Sequence, residues 1–414
     1  MAQPVINVQI NFSTGASFAN AFVLDTSVLD GADVLSDSAS GLIVDVSNLI
    51  DQVITNRGRQ LSAEQFNTGT ASVRILDQNG DFNPQNPSSP YFTYLSPMRK
   101  ITISATWLGN SYPIFAGYIT GYNTSTPQFN GDVVYTTITA VDGSRLMQNA
   151  QFFGVVGAVA GELTGTRVTK ILDTIGWPIS LRDIDPGLTT CQADPATQRT
   201  ALQALQTVST TEYGAFYLGA DGKAVFQDRA VTVGSVAPTA TYFADNGTGI
   251  NYANVQWVLD DTQVYNSVTV TRTGGTVQTA QNAASIAQYF THSYNSSGLL
   301  MQTDSAALDY AQAFLASRQD TSIRVDSLVL DLNTANYNTG VTAALALDFF
   351  SPIRIYTTQP NNTFLDKTVQ IFGVSHNIRP SSWKTTWTTA EPLIDGFILD
   401  SELYGILDTS VLSY

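Results

Sequence analysis

"RKITISATWLGNSYPIFAGYITGYN" occupies residues 99–123. Ile101, Ile103 and Ala105 alternate with polar neighbours and so share one face of a strand; Gly109-Asn110 marks a turn, and an apolar run then returns. Upstream, "GLIVDVSNLIDQVIT" at 41–55 reads as a strand and turn, and "TASVRILDQNGDF" at 70–82 as a hairpin region broken by "QNG". Downstream, "DVVYTTITAVDG" at 132–143 sets Val134, Thr136, Ile138 and Ala140 against Tyr135, Thr137 and Thr139. Short strands at hairpin spacing predict a small barrel or sandwich over residues 41–150.

The period then changes. In "TRVTKILDTIGWP" at 166–178, Val168, Ile171, Leu172 and Ile175 fall on one helical face, with Thr166 as N-cap and Gly176 and Pro178 as stop signals. A second helix is expected after Asp194-Pro195, with Leu202, Leu205 and Val208 on one side, followed by a strand pair around residues 220–223. Strands resume with a hairpin around Gly274-Gly275. Residues 304–318 then form a helix capped by Asp304, with Ala307, Leu308, Ala311, Phe314 and Leu315 along one face. Period-two alternation returns in "SIRVDSLVLDLN", "SPIRIYTT", "KTVQIFGVSHNI" and "WKTTWTTAEP", where Trp383 and Trp387 share a face. The expected class is a β-rich, multidomain α+β protein. It divides into an arm at 1–40, a first β domain at 41–150, an inserted α+β domain at 151–232, a second β domain at 233–395 with a helical insertion about 283–320, and a tail at 396–414.

Composition points the same way. Charged residues make up 13% of the chain, and 29 of the 34 acids are Asp, which suits turns better than helix interiors. A net charge of −15 without clustered Lys or Arg argues against specific nucleic-acid binding. The start lacks a signal-peptide pattern, and the longest apolar stretch, "FFGVVGAVAG" at 152–161, is half of what a membrane-spanning helix needs. That stretch reads as a connector buried between two domains, with an exposed loop meeting a partner or lipid as the other reading.

No residues form a catalytic signature. Asp77, Asn79 and Asp81 have the opening spacing of a calcium loop, but Phe82 stands where glycine is required and Ser88 where glutamate is; an Asn79-Gly80 hairpin turn explains the stretch. His376 reads as a hydrogen-bonded histidine at a strand end, and Cys191, the single cysteine, as a small, partly buried residue. No enzyme activity, metal or cofactor is expected.

One repeat stands out: "VLDTSVL" at 23–29 and "ILDTSVL" at 406–412. Each lies in a Leu-Asp-rich tract, and the apolar pairs Val23-Leu24, Val28-Leu29, Ile398-Leu399, Ile406-Leu407 and Val411-Leu412 suit short extended segments that dock on a sheet edge or groove. The expectation adopted is that they are equivalent anchors on two similar sites or on neighbouring proteins; completing domains of their own chain is the alternative.

Three stretches taken in order, "RGRQLSAEQFNTGTASVRILDQNGDFNPQNPSSPYF" at 57–92, "PIFAGYITGY" with "VVYTTITAVDGSRLM" through 147, and residues 169–229 from "TKILDTIGW" to "ADGKAVFQDR", resemble minor tail proteins of long-tailed phages, especially those of actinobacterial hosts. Such proteins are similar to the baseplate hub, or tail-tip, family. The resemblance implies two small β-barrel domains with α+β insertions, a homo-trimer whose six barrels match a hexameric tube, and a place at the virion tail tip after synthesis in the host cytoplasm. It implies as partners the distal tail protein ring, the tape-measure protein, and tip or tail-fibre proteins. A receptor-binding adhesin and a cell-wall hydrolase are the alternative functions, although the chain leaves no room for the lytic domain that some family members carry.

Overall fold

The alternation at 99–123 becomes two antiparallel strands, Lys100–Trp107 and Asn110–Ser125, joined by Leu108 and Gly109 at φ 50° and 80°. The turn thus sits one residue earlier than predicted, and Ile101, Ile103, Ala105 and Trp107 are buried together as the period requires. This is a computed structural model, and it describes residues 3–12, 42–59, 65–125, 133–234, 240–333 and 337–391. All ten apolar residues singled out in the Leu-Asp tracts, from Val23 to Leu412, lie outside the described residues.

Twelve strands carry the architecture. The first six are β1 (Val5–Asn11), β2 (Ile50–Gly58), β3 (Asn67–Leu76), β4 (Lys100–Trp107), β5 (Asn110–Ser125) and β6 (Tyr135–Val141), hydrogen-bonded in the order β2-β3-β6-β5-β4-β1. The second six are β7 (Thr241–Ala244), β8 (Asn254–Val258), β9 (Arg324–Asp331), β10 (Pro352–Thr358), β11 (Phe364–Arg379) and β12 (Ser382–Ala390), in the order β8-β9-β12-β11-β10-β7. The two orders are the same. Strand n of the first unit occupies the place of strand n+6 in the second, so the β framework is a duplication.

The match extends to single residues. In β5, Thr120 bulges between Ile119 and Gly121; in β11, Phe372 bulges between Ile371 and Gly373. Ile101 and Ile103 of β4 correspond to Ile353 and Ile355 of β10. Before each of those strands one non-glycine residue adopts a left-handed conformation, Met98 (φ 68°) and Phe350 (φ 62°), and its N–H donates to the Ile119 or Ile371 carbonyl, at 2.7 Å in both units. All these pairs are separated by the same offset, 252 residues. The units differ at one edge: β1 runs antiparallel to β4, whereas β7 runs parallel to β10.

Insertions distinguish the units further. Between them, helices α1 (Thr164–Thr174) and α2 (Ala201–Glu212) share a core with the strands Arg182–Ile184, Ala224–Gln227 and Ala215–Leu218. Between β8 and β9, the strands Gln278–Gln281, Ser267–Arg272 and Ser293–Leu299 form a second small sheet that packs on α3 (Asp304–Arg318). Helix α4 (Tyr337–Ala346), between β9 and β10, was not anticipated.

Local chemistry corrects several expected boundaries. Helix α1 follows Leu163, three residues before the expected Thr166 cap. Helix α2 begins not at Asp194-Pro195 but after Thr200, whose side chain accepts from Gln203 N–H while the Gln203 side chain accepts from Thr200 N–H. Thr303, rather than Asp304, caps α3; Asp304 instead bonds Thr276 and Arg272. Asn79-Gly80 does form a turn, with Gly80 N–H donating to the Asp77 carbonyl at 3.0 Å, but it opens a run of turns rather than a tight hairpin. Trp383 and Trp387 are both buried on one face of β12, as expected. In contrast, the 152–161 segment is largely exposed: Phe153, Val156 and Val159 face solvent, while Val155 is buried and Phe152 packs partly against the inserted-domain core.

Candidate functional site

The two units meet edge to edge. β11 is 16 residues long and changes partner at its bulge: residues 364–370 pair with β10, and residues 373–378 pair antiparallel with Val53–Gly58 of β2. One 13-stranded sheet results, including a short strand at Ile43–Asp45, and among the described residues it stays open rather than closing into a barrel. The β-rich α+β class holds, with its two β regions fused along this seam.

Close backbone approach makes the seam specific. Gly58 has φ 119°, and a Cβ there would fall 2.3 Å from the Phe372 carbonyl oxygen, so no side chain fits. Side chains extend the pairing, with Ser375 Oγ 2.7 Å from Asn56 Oδ1 and Gln52 Nε2 donating to Asn377 Oδ1 at 3.0 Å. On one side of the seam, Phe66, Tyr217, Phe349, Phe350 and Phe372 form an aromatic node joining both units and the inserted domain, with centroid distances such as 4.9 Å for Phe66–Phe349 and 5.0 Å for Tyr217–Phe349. Arg59 stacks on Phe372 at 4.0 Å, while Arg57 lies over Phe349 and grips Asp348 through two hydrogen bonds of 2.9 and 3.0 Å.

A cavity of about 310 Å³ opens at this seam, lined by Asn56, Arg57, Arg59, Thr68, Ser375 and Thr388 among others. Its lining holds amides, hydroxyls and two guanidinium groups but no His, Cys or carboxylate, so it offers no acid–base pair. The residues weighed from sequence as chemical candidates are structural. Asp77 accepts from the N–H groups of Asp81 and Phe82 and from Thr136 Oγ1, which fixes the turn. His376 is buried in β11 between Trp383 and Thr385, and burial, together with the Arg57 charge, pulls its pKa down to about 3. Cys191 is fully buried, and desolvation pushes its thiol up to about 12. Arg167, wholly buried, is held by Glu162 and carbonyl oxygens; Glu212 accepts from Thr164 Oγ1 and the N–H groups of Leu188 and Thr189. Among the described residues, no group of three or more His, Cys, Asp or Glu is placed to hold a metal ion, and no helix is long and apolar enough to cross a membrane.

What the geometry offers instead is exposed strand edge. The outer edge of β8 and, beyond its bulge, the edge of β5 that faces away from β6 have no strand partner among the described residues. Sequence reading expected two β domains but did not match them strand for strand, and so did not find these edges. The signal was present as "ITI" with "ITGY" at 101–122 against "IRI" with "IFGV" at 353–374.

No family model and no curated protein matches the chain. Its fold is similar to that of a tail protein from Neisseria meningitidis MC58, at a TM-score of 0.57 and 10% identity over 94% of this chain and 97% of that one. It is also similar to the 43 kDa tail protein of prophage MuSo2 from Shewanella oneidensis, at 0.54 and 10% identity, covering 85% and 94%. Those two likenesses span nearly the whole of each relative and establish the fold that this chain shares with phage tail proteins.

Proposed function

We propose that this chain is a structural, non-enzymatic component of a phage-type tail: the hub at the tail tip, a virion protein that closes the tube. In this reading it assembles as a homo-trimer, with its six β units matching a hexameric ring above. The distal tail ring and the end of the tape-measure protein lie on one side, and tip or fibre proteins on the other. The carrying observation is the internal duplication: two units with one strand order, fused by a seam, give one chain two quasi-equivalent positions in a ring. The likeness to two tail proteins supports the tail setting. The division at 1–40, 41–150, 151–232, 233–395 and 396–414 is proposed with it, except that Val5–Asn11 of the first segment belongs to the first unit as β1; the Leu-Asp tracts at 22–35 and 397–412 serve as paired anchors.

Labelling the chain in intact particles tests the reading. Label at the end of the tube supports a hub, whereas label along the shaft or on peripheral fibres overturns it. For the anchors, replacing Leu407 and Leu412 by Asp is expected to leave the chain folded but to reduce its incorporation into tails. Unfolding, or normal incorporation, contradicts the anchor role.

A further inference from the structure

The seam within one chain is a template for a seam between chains. β11 carries two partners on one edge, β10 before the bulge and β2 after it. β5, its counterpart, carries β4 before its bulge, and after it that edge has no strand partner among the described residues. The counterpart of β2 is β8, the end strand of the sheet, which among the described residues pairs only with β9. Each open edge therefore corresponds to one half of a joint that the chain already makes elsewhere.

Burial follows the same logic. Residues 373, 374, 376 and 378 of β11 are buried beneath the seam, while Gly121, Tyr122 and Thr124 of β5 are half-buried and Asn123 and Ser125 exposed. Val53 and Thr55 of β2 are buried, whereas Val255 and Trp257 of β8 are half-buried. Free edges in monomeric proteins are guarded by Lys, Pro or inward charges. The sequences "GYNTS" at 121–125 and "NVQWV" at 254–258 carry none of these.

The geometry points to a head-to-tail contact in which β8 of one copy pairs antiparallel with residues 121–125 of β5 in the next, reproducing the β2–β11 seam. This inference rests on the trimeric reading above and deepens it by naming the joining strands. Carrying the intrachain register across gives Asn123 opposite Val258, Thr124 opposite Trp257 and Ser125 opposite Gln256. Repetition of a head-to-tail contact either closes a ring or grows a filament; two quasi-equivalent seams per copy close at three copies when each turns by the same angle about a sixfold axis.

The test is a cysteine pair, Ser125→Cys with Gln256→Cys, in full-length chain assembled into tails. Both positions are exposed, and the native Cys191 is buried. Oxidation is expected to give covalent dimers and trimers and nothing larger, because opposed residues on paired strands bring Cβ atoms within disulfide reach. The pair Thr124→Cys with Gln256→Cys, one residue out of register and on opposite faces, is expected to give at least tenfold less trimer. Three copies at the tail tip with no cross-link for the first pair would assign the edges to another occupant, such as residues 13–41 or 392–414 of the same chain, and overturn the joint while leaving the trimer standing. Equal cross-linking by both pairs would overturn the register. A tail tip without three copies overturns both readings.

Discussion

His376 shows how a polar side chain can be structural inside a sheet. Its Nδ1 lies 3.3 Å from Trp383 Nε1, which donates to it, and 3.0 Å from Thr385 Oγ1. With its pKa lowered from 6.5 to about 3, the folded chain takes up this proton only in strong acid, whereas the unfolded chain takes it up near 6.5. The neutral imidazole's contribution is therefore complete above that value and declines as pH falls toward 3, by up to about 1.4 kcal/mol per pH unit. The variant His376→Gln is expected to flatten this part of the stability profile, measured by denaturant unfolding between about pH 6.5 and pH 4. A slope unchanged from the parent contradicts the assignment. Gly58 makes a steric prediction: Gly58→Ala places a Cβ against the Phe372 carbonyl in a left-handed conformation, and unfolding should register a loss of roughly 1–3 kcal/mol. Sequence alone identified His376 as a hydrogen-bonded strand residue; that Gly58 lies on a seam depends on a strand more than 300 residues away, a partner no local pattern specifies.

Among the elements, strands were legible wherever one face is buried and the other wet. β4, β6 and β12 alternate almost without exception. Helix α4 escaped because Gly340, Val341, Ala343, Ala344 and Leu345 are buried around most of its surface, leaving no amphipathic stripe. The start of α2 was misplaced because Asp194-Pro195 imitates a cap; Asp194 in fact pairs with Arg199 and accepts from Val155 and Ala196 N–H groups, and the working cap is Thr200 with Gln203. Thr200→Ala should lower stability by about 1 kcal/mol in thermal or denaturant unfolding. A loss well below that would mean that the N–H groups at the start of α2 find other partners. The exposed Phe153, Val156 and Val159 show the same limit from the other side: an apolar run specifies a wish for burial but not where the burying surface lies.

For the whole molecule, the duplication organises everything else. The near-identical heptapeptides at 23–29 and 406–412 lie outside the described residues, and within the described residues the β framework occurs twice. Six strands in one order recur with matched bulges, matched left-handed turns and one conserved offset across β4 and β5. Their sequences have diverged until short Ile-containing motifs are all that pair them, because the sheet constrains side-chain period and bulge position far more than residue identity. The inserted α+β segments differ between the units, so the proposed ring of three copies would be sixfold in its sheet and threefold in its decoration. A cryo-electron microscopy map of the intact tail tip tests this central claim most directly. The account predicts three copies, each contributing β1–β6 and β7–β12 to alternating positions of one continuous ring beneath the tube; a single copy, or six copies contributing one unit each, contradicts it.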